Sequence, residues 1–142
     1  MDGKADRVMT NYVSGNYFTA LGLKPVLGRF ILPSEGDVLG ADPVMVLGYS
    51  YWQTRFGGDP GIVGRKVSVD GRPVTIIGVA PKGFVGVYPI LSVQGYLPMG
   101  MAIIAGNPSD FMTNRQVRNV PILARLRPGV SVQQAQAVLT VV

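Results

Sequence analysis

Residues 52–84, WQTRFGGDPGIVGRKVSVDGRPVTIIGVAPKGF, decide how this chain folds. Trp52 and Phe56 lie four apart and share one face of a helix, so both rings point into one core. Gly57 and Gly58 stop that helix in the left-handed conformation that glycine adopts at least cost. Asp59 then reads as an N-cap and Pro60 as the first position of a short helical turn through Ile62 and Val63, which Gly64 ends. Beyond it, residues 66–69 and 72–79 alternate apolar with polar around Asp70-Gly71, a strong type I′ hairpin signal. A two-residue loop opposes Val69 to Arg72, Ser68 to Pro73 and Val67 to Val74, placing Val67, Val69, Val74 and Ile76 on one face. Pro73 has no N–H to offer a third strand, so its outer side is a sheet edge. Pro81 to Phe84 then carries the chain out of the second strand.

Working outward, residues 7–13 read as a first strand, and Ser14 as the N-cap of a short helix through Tyr17, Phe18 and Leu21 that Gly22 closes. Tyr17 and Phe18 are expected in the core or at a contact between subdomains, with a ligand groove as the alternative role for such an aromatic pair. Residues 24–29 form an extended connector. Residues 32–43 form a polar loop whose Glu35, Asp37 and Asp42 lack the ligand spacing of an EF-hand. Val44 to Leu47 is a strand, and Gly48 a weak cap for the helix 49–56. Residues 85–99 read as a loop and a short strand. Met99 to Ala105 is a short buried helix or strand, between which periodicity does not decide. Asn119 to Arg127 alternates, with Val120, Ile122, Ala124 and Leu126 on one face. Ser131 and Gln134 make a capping box for a helix with an Ala135, Val138, Leu139, Val142 stripe. No closing residue follows, so the natural chain is expected to continue beyond Val142, and the polar start at Met1 is expected to be an expression start on an excised piece.

The chain has 142 residues, 47% of them hydrophobic and 15% charged, with 19 glycines and 11 prolines. That is enough to bury a real core, and the composition favours short strands and turns over a helical bundle. The expected class is α+β: a short-stranded mixed sheet with a β-hairpin and short helices, plus part of a second βα subdomain. No apolar run approaches the roughly 18 residues that cross a bilayer. The net charge of +5 invites a nucleic-acid reading. The basic residues are scattered, however, without the interleaved aromatics of a stacking platform, so no nucleic-acid partner is expected.

Catalytic chemistry has little to draw on. The chain contains no histidine and no cysteine, which removes Ser-His triads, Cys-His dyads and the usual zinc sites together. The spaced glycines Gly58, Gly61 and Gly64 precede a strand rather than open a helix after one, so they do not form a phosphate cradle. Of the eight acidic residues, Asp59 and Asp70 already serve as cap and turn. No catalytic, cofactor or metal residue is expected, and the chain reads as no enzyme.

The order of motifs resembles the extracytoplasmic (periplasmic) core domain of MacB/FtsX-like ABC transporter permeases. The resemblance is carried by Trp52, Phe56-Gly57-Gly58-Asp59-Pro60, Val63-Gly64-Arg65, Asp70-Gly71, Ile77-Gly78-Val79 and Pro81-x-Gly83-Phe84. Val13 to Phe18, Leu21-Gly22, Gly28-Arg29-Phe30 and Ala124 to Ser131 also match. Where that family places an acidic residue and a tryptophan, this chain has Gln94 and Tyr96, so no functional residue is carried over. The resemblance implies a domain on the extracytoplasmic side of the cell membrane, anchored by transmembrane helices outside this sequence. It further implies a dimeric permease paired with a cytoplasmic ABC ATPase subunit or domain, and a periplasmic adaptor or exported cargo as partner. On that pattern residues 14–99 form an inserted, mostly β subdomain, and 119–142 return to a membrane-proximal βα part. The implied role is to transmit ATP-driven movement to a cargo or partner. The alternative is a module that binds a peptide, lipid or lipoprotein, which an exposed apolar patch beside the hairpin edge would favour.

Overall fold

The computed structural model describes residues 6–116 and 121–141. Six strands, β1 (Thr10–Val13), β2 (Leu27–Gly28), β3 (Val44–Leu47), β4 (Lys66–Val69), β5 (Arg72–Val79) and β6 (Gly95–Pro98), form one mixed sheet in the order β1-β6-β3-β5-β2, with β4 also paired to β5. The helices are α1 (Tyr17–Ala20), α2 (Tyr49–Phe56) and α3 (Val132–Val141), and tighter turns cover Pro60–Ile62, Pro89–Leu91 and Met99–Ala105. This is the expected α+β class.

The hairpin has the register expected of its two-residue loop, pairing Val67 with Val74, Ser68 with Pro73 and Val69 with Arg72. Asp70 and Gly71 have φ of +48° and +79°, the two positive values a type I′ turn needs. On the other side of β5, pairing with β3 begins only at Thr75, so Pro73 has no third strand beside it. That parallel ladder runs Met45 to Ile76 and then Val46 to Gly78, leaving Ile77 as an extra residue on β5. The bulge shifts the strand's alternation by one.

Neighbouring residues therefore go to opposite faces of the sheet and into two separate cores. Met45, Leu47, Trp52, Ile62, Val74, Ile76, Val79 and Leu97 pack in an aliphatic core that also holds the hairpin valines. Val46, Ile77, Ala80 and Tyr96 face the other way, into a core with Val13, Phe18 and Ile31. That second core is aromatic: Phe18 stacks on Phe30 with centroids 4.1 Å apart, and Phe84 on Tyr96 at 5.7 Å.

Several expectations need correction. The first strand is shorter than residues 7–13, and Asn16 rather than Ser14 occupies the N-cap position of α1, without a side-chain cap. The Ser14 hydroxyl is engaged with the Asn16 side chain instead. The connector 24–29 contains β2, which pairs Gly28 with Gly78 where a Cβ on either glycine would strike backbone. Met99–Ala105 is helical in the 3₁₀ sense. Of the stretch expected as a strand over 119–127, Asn119 and Val120 lie outside the described residues. Residues 121–127 form no ladder, because alternation makes a strand only where a partner edge accepts its hydrogen bonds. The capping box of α3 is formed: Gln134 N donates to Ser131 Oγ (3.1 Å) and Ser131 N to Gln134 Oε1 (2.9 Å). The Leu139 side chain on the apolar stripe of that helix is 72% exposed.

Candidate functional site

The motif residues of the opening stretch divide between the two cores. Trp52 is 6% exposed in the aliphatic core and donates its indole N–H to the Asp59 carbonyl (2.9 Å), tying α2 to the turn that follows. Phe56 packs beside it, edge-on to Tyr51. Gly57 closes α2 with φ +62°, Gly58 follows at +67°, and Asp59 Oδ1 accepts from Gly61 N (2.8 Å) as Pro60 starts the short turn. Gly64 N then donates to Ile76 O (2.7 Å), latching this turn to the hairpin. Phe84, held by a turn from Pro81, belongs to the aromatic core. These residues hold the architecture and line no common cleft.

Concavity lies at the other end of the sheet. A groove of about 490 Å³ runs beside β1, which is the edge strand there among the described residues. Its walls include Val87, Tyr88 and Leu91 together with Pro121, Ile122 and Leu123. Ile122 is 89% exposed and the neighbouring Ile90 96% exposed. No lining residue carries a charge: the polar ones are Thr10, Asn11, Ser14, Asn16 and the tyrosines. Exposed apolar side chains, Leu91 and Ile122 among them, flank this groove, whereas the patch that would favour a binding module was placed beside the hairpin edge. The paired aromatics separate, for Phe18 is buried in the core while Tyr17 lines the groove. Residues 9–14, 87–91 and 121–123 were not singled out in the sequence as parts of one site, since nothing local marks segments that meet only in the fold.

The electrostatics of the groove are quiet. Burial pushes the Tyr17 hydroxyl above the usual phenol value and the Tyr96 hydroxyl well above it, so both stay protonated at neutral pH. Both hydroxyl oxygens are buried, and that of Tyr96 has no hydrogen-bond partner among the described residues. Tyr12 is also raised, by burial first and by Asp70 second. A doubly bonded ion pair lies elsewhere. Arg29 holds Glu35 through two contacts of 2.9 and 3.1 Å, and Leu32 N adds a third. The Arg29 hydrogen bonds hold the Glu35 carboxyl below its ordinary pKa. No group of three or more acidic side chains is placed to hold a metal ion among the described residues, and no described helix is long and apolar enough to cross a membrane.

The model of the MacB-like periplasmic core domain matches residues 1–142. Among solved structures, the fold is similar to the periplasmic region of MacB from Actinobacillus actinomycetemcomitans. That match has 21% identity and a TM-score of 0.61, over 92% of this chain and 53% of that one. It is also similar to the extracellular domain of the ABC-type transporter YknZ from Gram-positive bacteria, with 24% identity and a TM-score of 0.50, over 66% of this chain and 44% of that one. The chain thus spans about half the length of these structures, and at such identities the likeness establishes the fold alone. Comparison with curated protein sequences gives no match. The match of the family model over all 142 residues places this chain in the family of MacB-like periplasmic core domains, the extracytoplasmic part of an ABC transporter permease.

Proposed function

We propose that this domain is non-catalytic and passes ATP-driven movement of its permease to a cargo or partner outside the membrane. The observation that carries the reading is the continuity of β5, which takes part in the ladders with β3, β4 and β2 and sends side chains into both cores. A body built on one such strand moves as a unit when its anchors move, which rigid transmission requires. The absence of histidine and cysteine from the sequence leaves no group whose ordinary pKa suits acid–base catalysis near neutrality. In this reading residues 119–142 belong to the membrane-proximal part, the ATPase couples through helices outside this sequence, and the permease works as a dimer.

The test uses the intact permease. Charge reversal on the hairpin surface, Lys66→Glu with Arg72→Glu, is expected to impair export and leave ATP hydrolysis and folding intact. Equal loss of hydrolysis and export, or turnover of any substrate by this chain, sinks the reading. A second reading, a module that binds a peptide, lipid or lipoprotein, is favoured by the uncharged groove beside β1.

A further inference from the structure

We propose that the loop over residues 32–42 is a strap latched by carboxylates, held on the turn Met99–Ala105 while they are ionised and released from it in acid. The proposal goes beyond the transmission reading and does not depend on it. Its ground is the way the loop is fastened. Ile31 before it is buried in the aromatic core and Met45 after it in the aliphatic core. Within it, the large aliphatic side chains Leu32 and Val38 are exposed, and Gly36 alone is buried. Apolar packing therefore adds little to hold the loop in place.

Ionised side chains hold it instead. The Glu35 carboxylate accepts twice from the Arg29 guanidinium, at 2.9 and 3.1 Å, and once from Leu32 N at 2.7 Å, which closes the start of the loop on itself. Asp42 Oδ2 accepts from Gly36 N at 2.9 Å and closes the remainder. The two closures meet at the Glu35-Gly36 step, and the loop backbone there lies against the turn: a Cβ on Gly100 would stand 2.7 Å from Gly36 O and 2.5 Å from Val38 O. Gly40 N donates to Gly100 O (2.9 Å), a neutral bond between strap and turn. Charge-assisted hydrogen bonds are about twice as strong as neutral ones, so the carboxylates decide whether the strap stays.

The surroundings give acid a direction. Arg29 keeps its charge throughout, and protonation of Glu35 leaves it with the Phe30 carbonyl at 3.0 Å. Asp37 is the other acidic residue lining the same pocket as Glu35, Arg72 comes close to Gly40 from the hairpin, and the pocket's Ser14, Asn16, Met99 and Met112 do not titrate. The Arg29 hydrogen bonds hold the Glu35 carboxyl below its ordinary pKa, so the latch survives mild acid and is lost as pH falls through that lower value. The domain lies on the extracytoplasmic side, where cytoplasmic buffering does not reach. Release takes Pro33, Glu35 and Asp37 away from a pocket of about 360 Å³ that they line with Ser14 and Met99, so the shape of this pocket follows acidity.

The experiment follows amide exchange at single residues in the intact permease from about pH 7 to about pH 3, corrected for the intrinsic pH dependence of exchange. Leu32 N and Gly36 N, which donate to the carboxylates, report the latch, and Gly40 N, which donates to Gly100, reports the strap. Expected on acidification is a loss of protection at all three of at least about tenfold, the scale of one charge-assisted bond. Ile76 N and Ala80 N, which donate to Arg65 and Leu47 inside the sheet, are expected to stay protected. Glu35→Gln, neutral at every pH, is expected to bring the loss at Leu32 and Gly40 to neutral pH. Arg29→Gln unpairs Glu35 without neutralising it and is expected to move the release to higher pH, a shift that a merely structural role would not produce. Protection at Gly40 that is unchanged in acid, a loss spreading equally to Ile76 and Ala80, or a release pH unmoved by Arg29→Gln overturns the inference.

Discussion

The two long sides of the sheet are finished in opposite ways. At the hairpin side, β4 exposes Lys66 and Ser68, Arg72 and Pro73 are exposed beside them, and the neighbouring β2 is only two residues long. Lysine, proline and brevity each discourage another chain from pairing there. At the other side β1 carries no charge and borders a groove whose walls include exposed isoleucine and leucine. Among the described residues, one sheet thus has a guarded edge and an uncharged one. The difference teaches that the motif-rich stretch, which dominates the sequence, builds the guarded side, while the uncharged side is built by residues with no motif.

The comparison can be broken most severely at the guarded side. Trp52→Ala removes the side chain that clamps α2 over the hairpin valines, and is expected to cost about 3–5 kcal/mol in urea unfolding. A variant that stays as stable as the parent and loses only a binding activity would show that Trp52 is not a core residue. Gly71→Val is expected to cost about 1 kcal/mol or more, since a β-branched residue resists the φ of +79° at that position. An unchanged melting curve would count against the turn as a stabilising device. Acid acts through Glu35, which lines a smaller pocket with Ser14, Asn16 and Met99. Its folded pKa is depressed, chiefly by the Arg29 hydrogen bonds. Its contribution is therefore present above the unfolded carboxylate pKa and is lost as pH falls through the lower folded value. Amide exchange near Leu32 and Glu35 should rise in that acid window, and Glu35→Gln should flatten the pH dependence of stability there. The smallest effect belongs to the uncharged side. Ile122→Ser is expected to shift stability by no more than about 0.5 kcal/mol, because the side chain already faces solvent. A large loss would mean that this segment is part of the core.

How much of this was legible in the sequence depends on the distance between interacting residues. The helix 49–56, the Asp59 cap, the hairpin register and the Ser131–Gln134 box are each set within a few residues, and each reads directly from residue type and spacing. The insertion of β6 between β1 and β3, and the pairing of β2 with the far end of β5, join segments tens of residues apart, where no local pattern specifies the partner. Residues 121–127 show the converse, alternating well and finding no ladder. The groove was invisible for the same reason: Tyr17, Leu91 and Ile122 become neighbours only after folding. Tyr17 and Phe18 were recognisable as a pair, and both meet Tyr96, but only folding shows that Phe18 is buried while Tyr17 also reaches the groove.

The extra residue at Ile77 has a consequence for how this domain can change over generations. Because the bulge resets the alternation of β5, Ile76 and Val79 serve one core and Ile77 and Ala80 the other. Substitutions confined to one core therefore have largely additive effects with those in the other, and the two can drift in composition on separate schedules. A deletion at this one position is the exception among changes of length: without Ile77 the pairs Met45–Ile76, Val46–Gly78 and Leu47–Val79 form a regular ladder, and the loss falls on the second core, which gives up the Ile77 side chain.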